Sequence, residues 1–221
     1  MQNIKQPIGI FGGTFDPIHY GHLRLALELY QQLQLQEIRF MPCHTPVLDK
    51  TAQISPAQRL HLLKLAVANQ PGFVIDEREL QRPTPSYTVE TLISLRQEVG
   101  TTPLALIVGA DAFADLPRWH RWQEIITLTH LIVIPRPEFI LTDAMIQAAL
   151  PPPAQIIQDR ALLAQAPAGY VLFPKITALT ISSTNIRSLI QQGQSPRYLL
   201  PDAVWQWIQQ EKLYDSLHVG Q

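Results

Sequence analysis

Two histidines at a glycine-rich turn are the residues near the start of the chain best suited to chemistry. The turn runs from Gly12 to His22, and Gly21 separates His22 from Tyr20 and His19. It follows an apolar run typical of a buried strand and precedes apolar residues spaced as on one helix face. Such a turn lets backbone approach a ligand, and the helix start points its N–H groups at it. The pattern predicts a phosphate site.

The same two histidines have a competing interpretation as zinc ligands. Histidines three positions apart can share a metal ion, but no second histidine pair or nearby acidic residue completes a ligand set. Asp16 is close in sequence, and we expect it to fix the turn. A lone histidine at a helix start is more often structural. The pair at one turn favours contact with phosphate, and we assign no protein-held metal.

A second stretch that suits an anion runs from Ile181 to Arg187. Serines at a helix start commonly only cap it, and capping accounts for Ser182 or Ser183. Capping does not account for Arg187, which lies three residues after Thr184 and therefore on the same helix face. Hydroxyls, free N–H groups and a guanidinium converge there on one anion. Two such helix starts in one chain are a stronger indication than either alone.

Two further residues have weaker individual cases. Asp111 follows Gly109 at the carboxyl end of the most apolar strand, where ligands of open α/β sheets bind, and its carboxylate can accept hydrogen bonds from ribose hydroxyls. Taken alone, Asp111 is better explained as a helix cap or a turn residue. Trp119 lies in a polar stretch, and an indole face suits a flat heteroaromatic ring, although tryptophans three apart are more often core.

Strand and helix alternate from residue 7 to residue 135. This alternation predicts an α/β fold, a Rossmann-like doubly wound parallel sheet with helices on both faces, followed by a C-terminal helical segment. One stretch predicts the start of a helix that runs to about Ala68. Ser55 is its N-cap, Pro56 takes the first helical position and Gln58 completes a capping box. The clearest buried strand is predicted at Leu104–Asp111.

The chain is predicted to be one domain, residues 1–221. Within it, residues 136–168 are interpreted as an insertion or a lid. Helices are predicted there around Thr142–Leu150 and Ala154–Gln165, on either side of three prolines.

Composition indicates an ordinary globular protein. The 221 residues are 46% hydrophobic and carry a formal net charge of −1, which gives no bulk electrostatic reason to expect nucleic acid or a membrane as a partner. The single cysteine, Cys43, excludes an internal disulfide and favours a reducing, cytoplasmic location. The composition does not decide between a monomer and a homo-oligomer.

Common nucleotide and hydrolase motifs are missing from the sequence: the phosphate loop, the dinucleotide fingerprint and the serine elbow. This suits a reaction whose nucleophile is already ionised. If a phosphate oxygen attacks the α-phosphorus of a nucleoside triphosphate, the enzyme needs positioning and charge stabilisation, with Mg²⁺, and no general base.

The stretch Gly12–His22 resembles the first signature of the nucleotidyltransferase superfamily, and Ile181–Arg187 resembles its second. The landmarks between them resemble the bacterial nicotinate-mononucleotide adenylyltransferases, which make deamido-NAD and pyrophosphate from ATP and nicotinate mononucleotide in NAD biosynthesis. Those landmarks are Glu77–Leu80, Ser86–Thr88, Gly109–Asp111, Trp119 and Arg136-Pro137.

That resemblance implies a role for each matching residue. His22 contacts the α-phosphate, Asp111 the ATP ribose and Trp119 the pyridine ring, with backbone N–H groups of Tyr87 and Thr88 at the nicotinate carboxylate. The implied sets are His19, His22 and Arg187 as catalytic; Gly12, Gly13, Thr14, Phe15, Gly109, Asp111, Ser183 and Thr184 as ATP-binding; and Tyr87, Thr88, Trp119 and Arg136 as mononucleotide-binding.

One stretch departs from the family, which carries a histidine in the loop after its second strand. Pro46–Lys50 lacks it, with His44 or Lys50 as possible replacements. The competing functions are an adenylyltransferase for nicotinamide mononucleotide or phosphopantetheine, a cytidylyltransferase, and a non-catalytic nucleotide-sensing module.

Overall fold

Strands and helices alternate through most of the computed structural model, which describes residues 5–46, 51–82, 85–136 and 138–215. The strands form one sheet: β1 (Ile8–Gly13), β2 (Glu37–Pro42), β3 (Phe73–Ile75), β4 (Leu104–Gly109), β5 (His130–Ile134), β6 (Gln155–Ile157) and β7 (Tyr170–Leu172). The helices of these residues are α1 (Tyr20–Gln32), α2 (Pro56–Val67), α3 (Thr88–Val99), α4 (Ala110–Ala114), α5 (Trp122–Leu128), α6 (Asp143–Ala149), α7 (Ser183–Gln191) and α8 (Asp202–Gln210).

The sheet has the order β3-β2-β1-β4-β5-β7-β6, and each pair of neighbouring strands runs in parallel. The chain moves outward from β1 to β3, then returns beside β1 and continues to the other edge. The reversal opens a crevice at the carboxyl ends of β1 and β4, where open α/β sheets bind ligands. The predicted doubly wound α/β fold is confirmed.

Side chains of the central strands alternate between two apolar layers. In β4, for example, Ile107 packs with α1, α2, α7 and α8 on one face, whereas Leu106 and Val108 pack with α3 to α6 on the other. Successive strand residues point to opposite faces, so a strand covered by helices on both sides is apolar throughout. This explains why β4 and β5 stand out in the sequence as unbroken apolar runs.

The start of α2 forms as its sequence predicts. The Ser55 hydroxyl accepts a hydrogen bond from the Gln58 backbone N–H at 3.2 Å, and the Gln58 side chain accepts one from the Ser55 N–H at 2.9 Å. The two reciprocal bonds satisfy backbone donors that the first helical turn leaves without partners.

Two predicted elements differ from the structure. The strand predicted to reach Asp111 ends at Gly109, and Asp111 lies in the first turn of α4. The helix predicted around Ala154–Gln165 is wrong, because β6 occupies its first part and a 3₁₀ turn its second. β-Branched Ile156 and Ile157 suit a strand at the sheet edge, where β7 provides the backbone partners. Part of the 136–168 segment thus extends the sheet.

No helix in the part of the chain that the structure describes is long and apolar enough to cross a membrane.

Candidate active site

The turn between β1 and α1 is anchored by a phenylalanine and leaves its glycine backbone open. Phe15 adopts a left-handed conformation (φ 49°) and buries its ring against Phe11, with 5.7 Å between the ring centroids. A Cβ added at Gly13 would lie 3.0 Å from that ring, whereas one added at Gly12 would meet nothing within 4 Å. The aromatic ring therefore holds the turn from behind while the backbone of Gly12 faces the crevice.

The two histidines of the turn lie against each other. The ring centroids of His19 and His22 are 3.7 Å apart, with 28° between the ring planes. A Cβ added at Gly21 would lie 2.9 Å from His19 ring atoms and 3.3 Å from the carbonyl oxygen of Ile181. Glycine at this position lets the start of α1 approach both the imidazole pair and the segment that leads into α7.

Both imidazoles are neutral at pH 7. Burial lowers the pKa of His19 to about 3, and the positive charge of Arg136 contributes to the shift. Burial also lowers the pKa of His22 well below its usual value, with His19 and Arg136 adding to the effect. Neither Nδ1 atom has a hydrogen-bond partner among the described residues. Buried polar atoms of this kind normally have partners, so the pair suits a polar ligand.

The start of α7 is tied to the same turn. The Ser182 hydroxyl caps the helix by accepting from the Asn185 N–H at 3.1 Å, and the Ser183 hydroxyl donates to the Pro17 carbonyl at 2.9 Å. Arg187 donates from Nη1 to the Asp16 carbonyl at 2.7 Å and from Nη2 to the Thr184 hydroxyl at 3.3 Å. The two predicted anion-binding helix starts therefore face each other across one crevice.

A buried arginine that the motifs do not predict holds the turn between β1 and α1 by hydrogen bonds to backbone carbonyls. Arg59 is fully buried on α2 and donates to the carbonyls of Thr14 at 2.8 Å, Cys43 at 2.7 Å and His44 at 2.9 Å. It joins the turn between β1 and α1 to the segment that follows β2. In the sequence Arg59 is one polar residue near the start of a helix, and no local pattern distinguishes it.

Asp111 and Arg136 form a pair at the mouth of the crevice. The Arg136 Nε lies 3.2 Å from the Asp111 carboxylate, and about half of each side chain is exposed. A Cβ at Gly109 would lie 2.4 Å from the carboxylate and 2.8 Å from that Nε, so only glycine leaves room for the pair. Solvent-exposed ion pairs are weak, and a ligand can displace either partner.

The predicted mononucleotide residues divide between the crevice and its surroundings. Trp119 lines the crevice. Tyr87 packs at a tilt against His120, with 4.6 Å between the ring centroids, and its N–H donates to the Pro85 carbonyl at 2.8 Å. Thr88 begins α3. Residues 47–50, which include the expected replacement Lys50, lie outside the described residues.

The crevice has a volume of about 630 Å³. It lies at the carboxyl ends of β1, β4 and β5, at the reversal of the strand order. Three of the predicted site residues, Tyr87, Thr88 and Asp111, are not among those that line it. The predicted residues that do line it are Gly12, Gly13, Thr14, Phe15, His19, His22, Gly109, Trp119, Arg136, Ser183, Thr184 and Arg187.

The crevice is better suited to anions than to direct binding of a metal ion. Arginine and neutral imidazole N–H groups provide donors and positive charge, whereas the nearest carboxylate, Asp16, already accepts hydrogen bonds from Gln53 and Tyr214. Within the described ranges, no three His, Cys, Asp or Glu side chains come together as a potential metal site.

Comparison with known proteins yields a consistent set of matches. A model of the cytidylyltransferase-like family matches residues 10–189. A protein of Methylococcus capsulatus named a probable nicotinate-nucleotide adenylyltransferase is 47% identical over 94% of this chain and 99% of its own. A protein of Cellvibrio japonicus with the same name is 48% identical over 96% of this chain and 100% of its own.

Solved structures share the fold at low sequence identity. The Plasmodium falciparum nicotinic acid mononucleotide adenylyltransferase complexed with NaAD superposes with a TM-score of 0.73 at 19% identity, covering 95% of this chain and 97% of that one. The same protein complexed with APC gives a TM-score of 0.66 at 18% identity, with the same coverage.

Proposed function

Because the chain belongs to the cytidylyltransferase-like family, and within it groups with the nicotinate-nucleotide adenylyltransferases, we propose that its crevice transfers the adenylyl group of ATP to nicotinate mononucleotide. A phosphate oxygen of the mononucleotide attacks the α-phosphorus of ATP. The bond from that phosphorus to the β-phosphate bridging oxygen breaks, which gives deamido-NAD and pyrophosphate. The observation that carries this proposal is the pair of anion-binding helix starts that face each other across one crevice.

The histidine pair is proposed to stabilise charge at the α-phosphate. His22 donates an N–H to an α-phosphate oxygen as charge develops, and His19 holds the neighbouring phosphate and the orientation of the His22 ring. A neutral imidazole can donate its N–H to a phosphate oxygen without changing its own protonation state. A buried donor in a dry site stabilises charge more than it would in water. The attacking phosphate oxygen is already ionised and needs no base.

The start of α7 is proposed to hold the leaving pyrophosphate. Ser183, Thr184 and Arg187 face the β- and γ-phosphates, where a guanidinium and helix N–H groups are strong anion ligands. The backbone of Gly12–Phe15 lines the opposite wall. Asp111 binds the ATP ribose after exchanging its contact with Arg136 for the ribose hydroxyls.

The mononucleotide is proposed to occupy the side of the crevice nearest α3 and α4. Trp119 stacks on the pyridine ring, and Arg136, released from Asp111, pairs with the mononucleotide phosphate. Backbone N–H groups at Tyr87 and Thr88 receive the nicotinate carboxylate, which for Tyr87 means exchanging its present contact with Pro85.

Mg²⁺ is proposed as the divalent ion, held by phosphate oxygens of ATP. Arg187 then adds positive charge beside the triphosphate, and the neutral imidazoles add hydrogen-bond donors. Mg²⁺ commonly binds through substrate phosphates and supplies charge neutralisation there. The donor-rich lining of this crevice fits that arrangement.

We propose a single domain for the chain, because β6 and Leu163 of the 136–168 segment join the same sheet and core as the site. The cytoplasmic location stays a prediction.

The proposal is tested by comparing acceptors. Purified protein is given ATP and Mg²⁺ with nicotinate mononucleotide, nicotinamide mononucleotide or phosphopantetheine, and pyrophosphate release is followed for each. A reaction without acceptor controls for ATP hydrolysis. We expect kcat/KM to be highest for nicotinate mononucleotide. Faster turnover of phosphopantetheine, or no acceptor-dependent pyrophosphate, would refute the proposed function.

A further inference from the structure

A tyrosine near the end of the described residues contacts the turn between β1 and α1. The hydroxyl of Tyr214 donates to the Asp16 carboxylate at 2.7 Å, although the two residues are 198 positions apart. Both side chains are buried, with 3% of Asp16 and 8% of Tyr214 exposed. Asp16 lies three residues before His19, so the contact joins the C-terminal segment to the centre of the site.

Asp16 also connects two other segments that border the crevice. Its second carboxylate oxygen accepts from the Gln53 N–H at 2.7 Å, and its carbonyl accepts from Arg187 Nη1 at 2.7 Å. The same Nη1 lies 4.0 Å from the carboxylate oxygen that Gln53 contacts. The carboxylate is therefore held by Gln53 and Tyr214 at a short distance from an arginine that it does not fully engage.

The tyrosine hydroxyl is fixed as the donor in this contact. Burial raises the pKa of Tyr214 well above its usual value, and the neighbouring Asp16 charge raises it further. The phenol stays protonated at neutral pH, so its proton points at the carboxylate.

We propose that Tyr214 is a positioning residue for the ATP-binding half of the site. Its hydroxyl satisfies the Asp16 carboxylate and so prevents that carboxylate from drawing the Arg187 guanidinium away from the triphosphate. Without the hydroxyl, Oδ1 of Asp16 loses its partner and the carboxylate can turn about its contact with Gln53. Arg187, 4.0 Å from Oδ2, is the cationic side chain within that distance among the described residues, and a close ion pair replaces the present separation. This inference rests on the proposed function, since it assigns the triphosphate to Arg187.

The test is Tyr214→Phe, which keeps the ring and removes only the hydroxyl. We expect KM and Kd for ATP to rise about fivefold or more, since a charge-assisted contact to the triphosphate weakens, while KM for nicotinate mononucleotide stays within about twofold of its wild-type value. Tyr198→Phe is the matched control, because that side chain is 82% exposed. It should leave both constants unchanged.

A merely structural role predicts a different result. If Tyr214→Phe lowers the melting temperature and leaves KM and Kd for ATP unchanged, the inference is overturned. Equal changes in both substrates' constants overturn it as well, because the proposed effect is confined to ATP.

The Asp16→Asn variant separates the effect of the Asp16 charge from the effect of the packing of the Tyr214 ring. In Asp16→Asn the side chain carries no charge to attract Arg187, so adding Tyr214→Phe should change Kd for ATP by less than about twofold in this cycle. An equal increase of Kd in both backgrounds would contradict the proposal. Kd for ATP is measured by calorimetry without an acceptor, so a wild-type protein that binds ATP but fails the acceptor comparison still tests Tyr214.

Discussion

His19 and His22 are uncharged at neutral pH, although they are the residues nearest the expected reaction. Burial and the charge of Arg136 keep the pKa of both rings low. Two positively charged imidazoles in this position would repel Arg136. Two neutral imidazoles can donate hydrogen bonds to phosphate without repelling Arg136. In the proposed reaction the rings act as fixed dipoles, a form of stabilisation that requires little reorganisation.

Replacing His22 with alanine tests its role at the α-phosphate. We expect kcat for nicotinate mononucleotide to fall by about 10² or more, as for the loss of one donor to a developing charge. His61→Ala provides the control, because His61 is exposed on α2, packs at a tilt against Trp207 and does not line the crevice. A near-normal kcat in His22→Ala would make the residue structural.

Some of these residues could be predicted from the sequence and others could not. His19, His22 and the Ser183–Arg187 stretch are close together in sequence, so local spacing alone indicates two anion sites. The roles of Arg59 and Tyr214 depend on partners 45 and 198 positions away. No local pattern carries that information, since a buried cation in a helix or a tyrosine in a tail becomes meaningful only once the chain has folded.

Among the helices and strands, the start of a helix is predictable from the sequence where its own side chains cap it. The capping box of α2 forms from residues three positions apart. The start of α1 has no side-chain cap at His19, and its geometry depends instead on the close approach of Gly21 to Ile181. The edge strand β6 cannot be predicted from the sequence, because it is three residues long and too short to show the alternation of a strand.

Gly21→Ala tests whether this close approach serves the reaction. Alanine is the better helix former by up to about 1 kcal/mol, but its Cβ would displace the His19 ring, which then leaves its stack with His22. We expect kcat to fall by about 10² for a displacement near 1 Å, with a melting temperature close to that of the wild type.

Gln31→Ala, on the exposed side of the same helix, should leave kcat unchanged. If Gly21→Ala proved fully active, the stacked arrangement of the two histidines would be irrelevant to turnover.

At the scale of the whole molecule, the strand reversal creates the site. The alternation of strand and helix predicted a parallel doubly wound sheet, which the structure confirms. Alternation does not specify the strand order, because each crossover can return on either side of the strand before it. The placement of β4 beside β1 brings Gly109 and Arg136 opposite the histidine turn, and this arrangement follows from packing over the entire sheet.

Stability should depend on pH through the buried histidines. The pKa of His19 falls from 6.5 to about 3 on folding because of burial, so the unfolded chain binds more protons between those values. The free energy of unfolding therefore falls as pH drops below about 6.5, by about 2 kcal/mol at pH 5 through His19 alone. His22 acts in the same direction.

Urea unfolding at pH 8, 6.5 and 5 measures this dependence, and His19→Gln should reduce the slope. An identical pH dependence in wild type and His19→Gln would show that the ring is not held neutral by the fold.

In the proposed reaction a phosphate oxygen of the mononucleotide attacks the α-phosphorus of ATP between the two helix starts. Nicotinate mononucleotide labelled with ¹⁸O in its phosphate, incubated with ATP and the protein, tests it by mass spectrometry of both products. We predict that deamido-NAD carries the label and that the released pyrophosphate carries none. Release of ADP or AMP in place of pyrophosphate, or label in the pyrophosphate, would contradict the account.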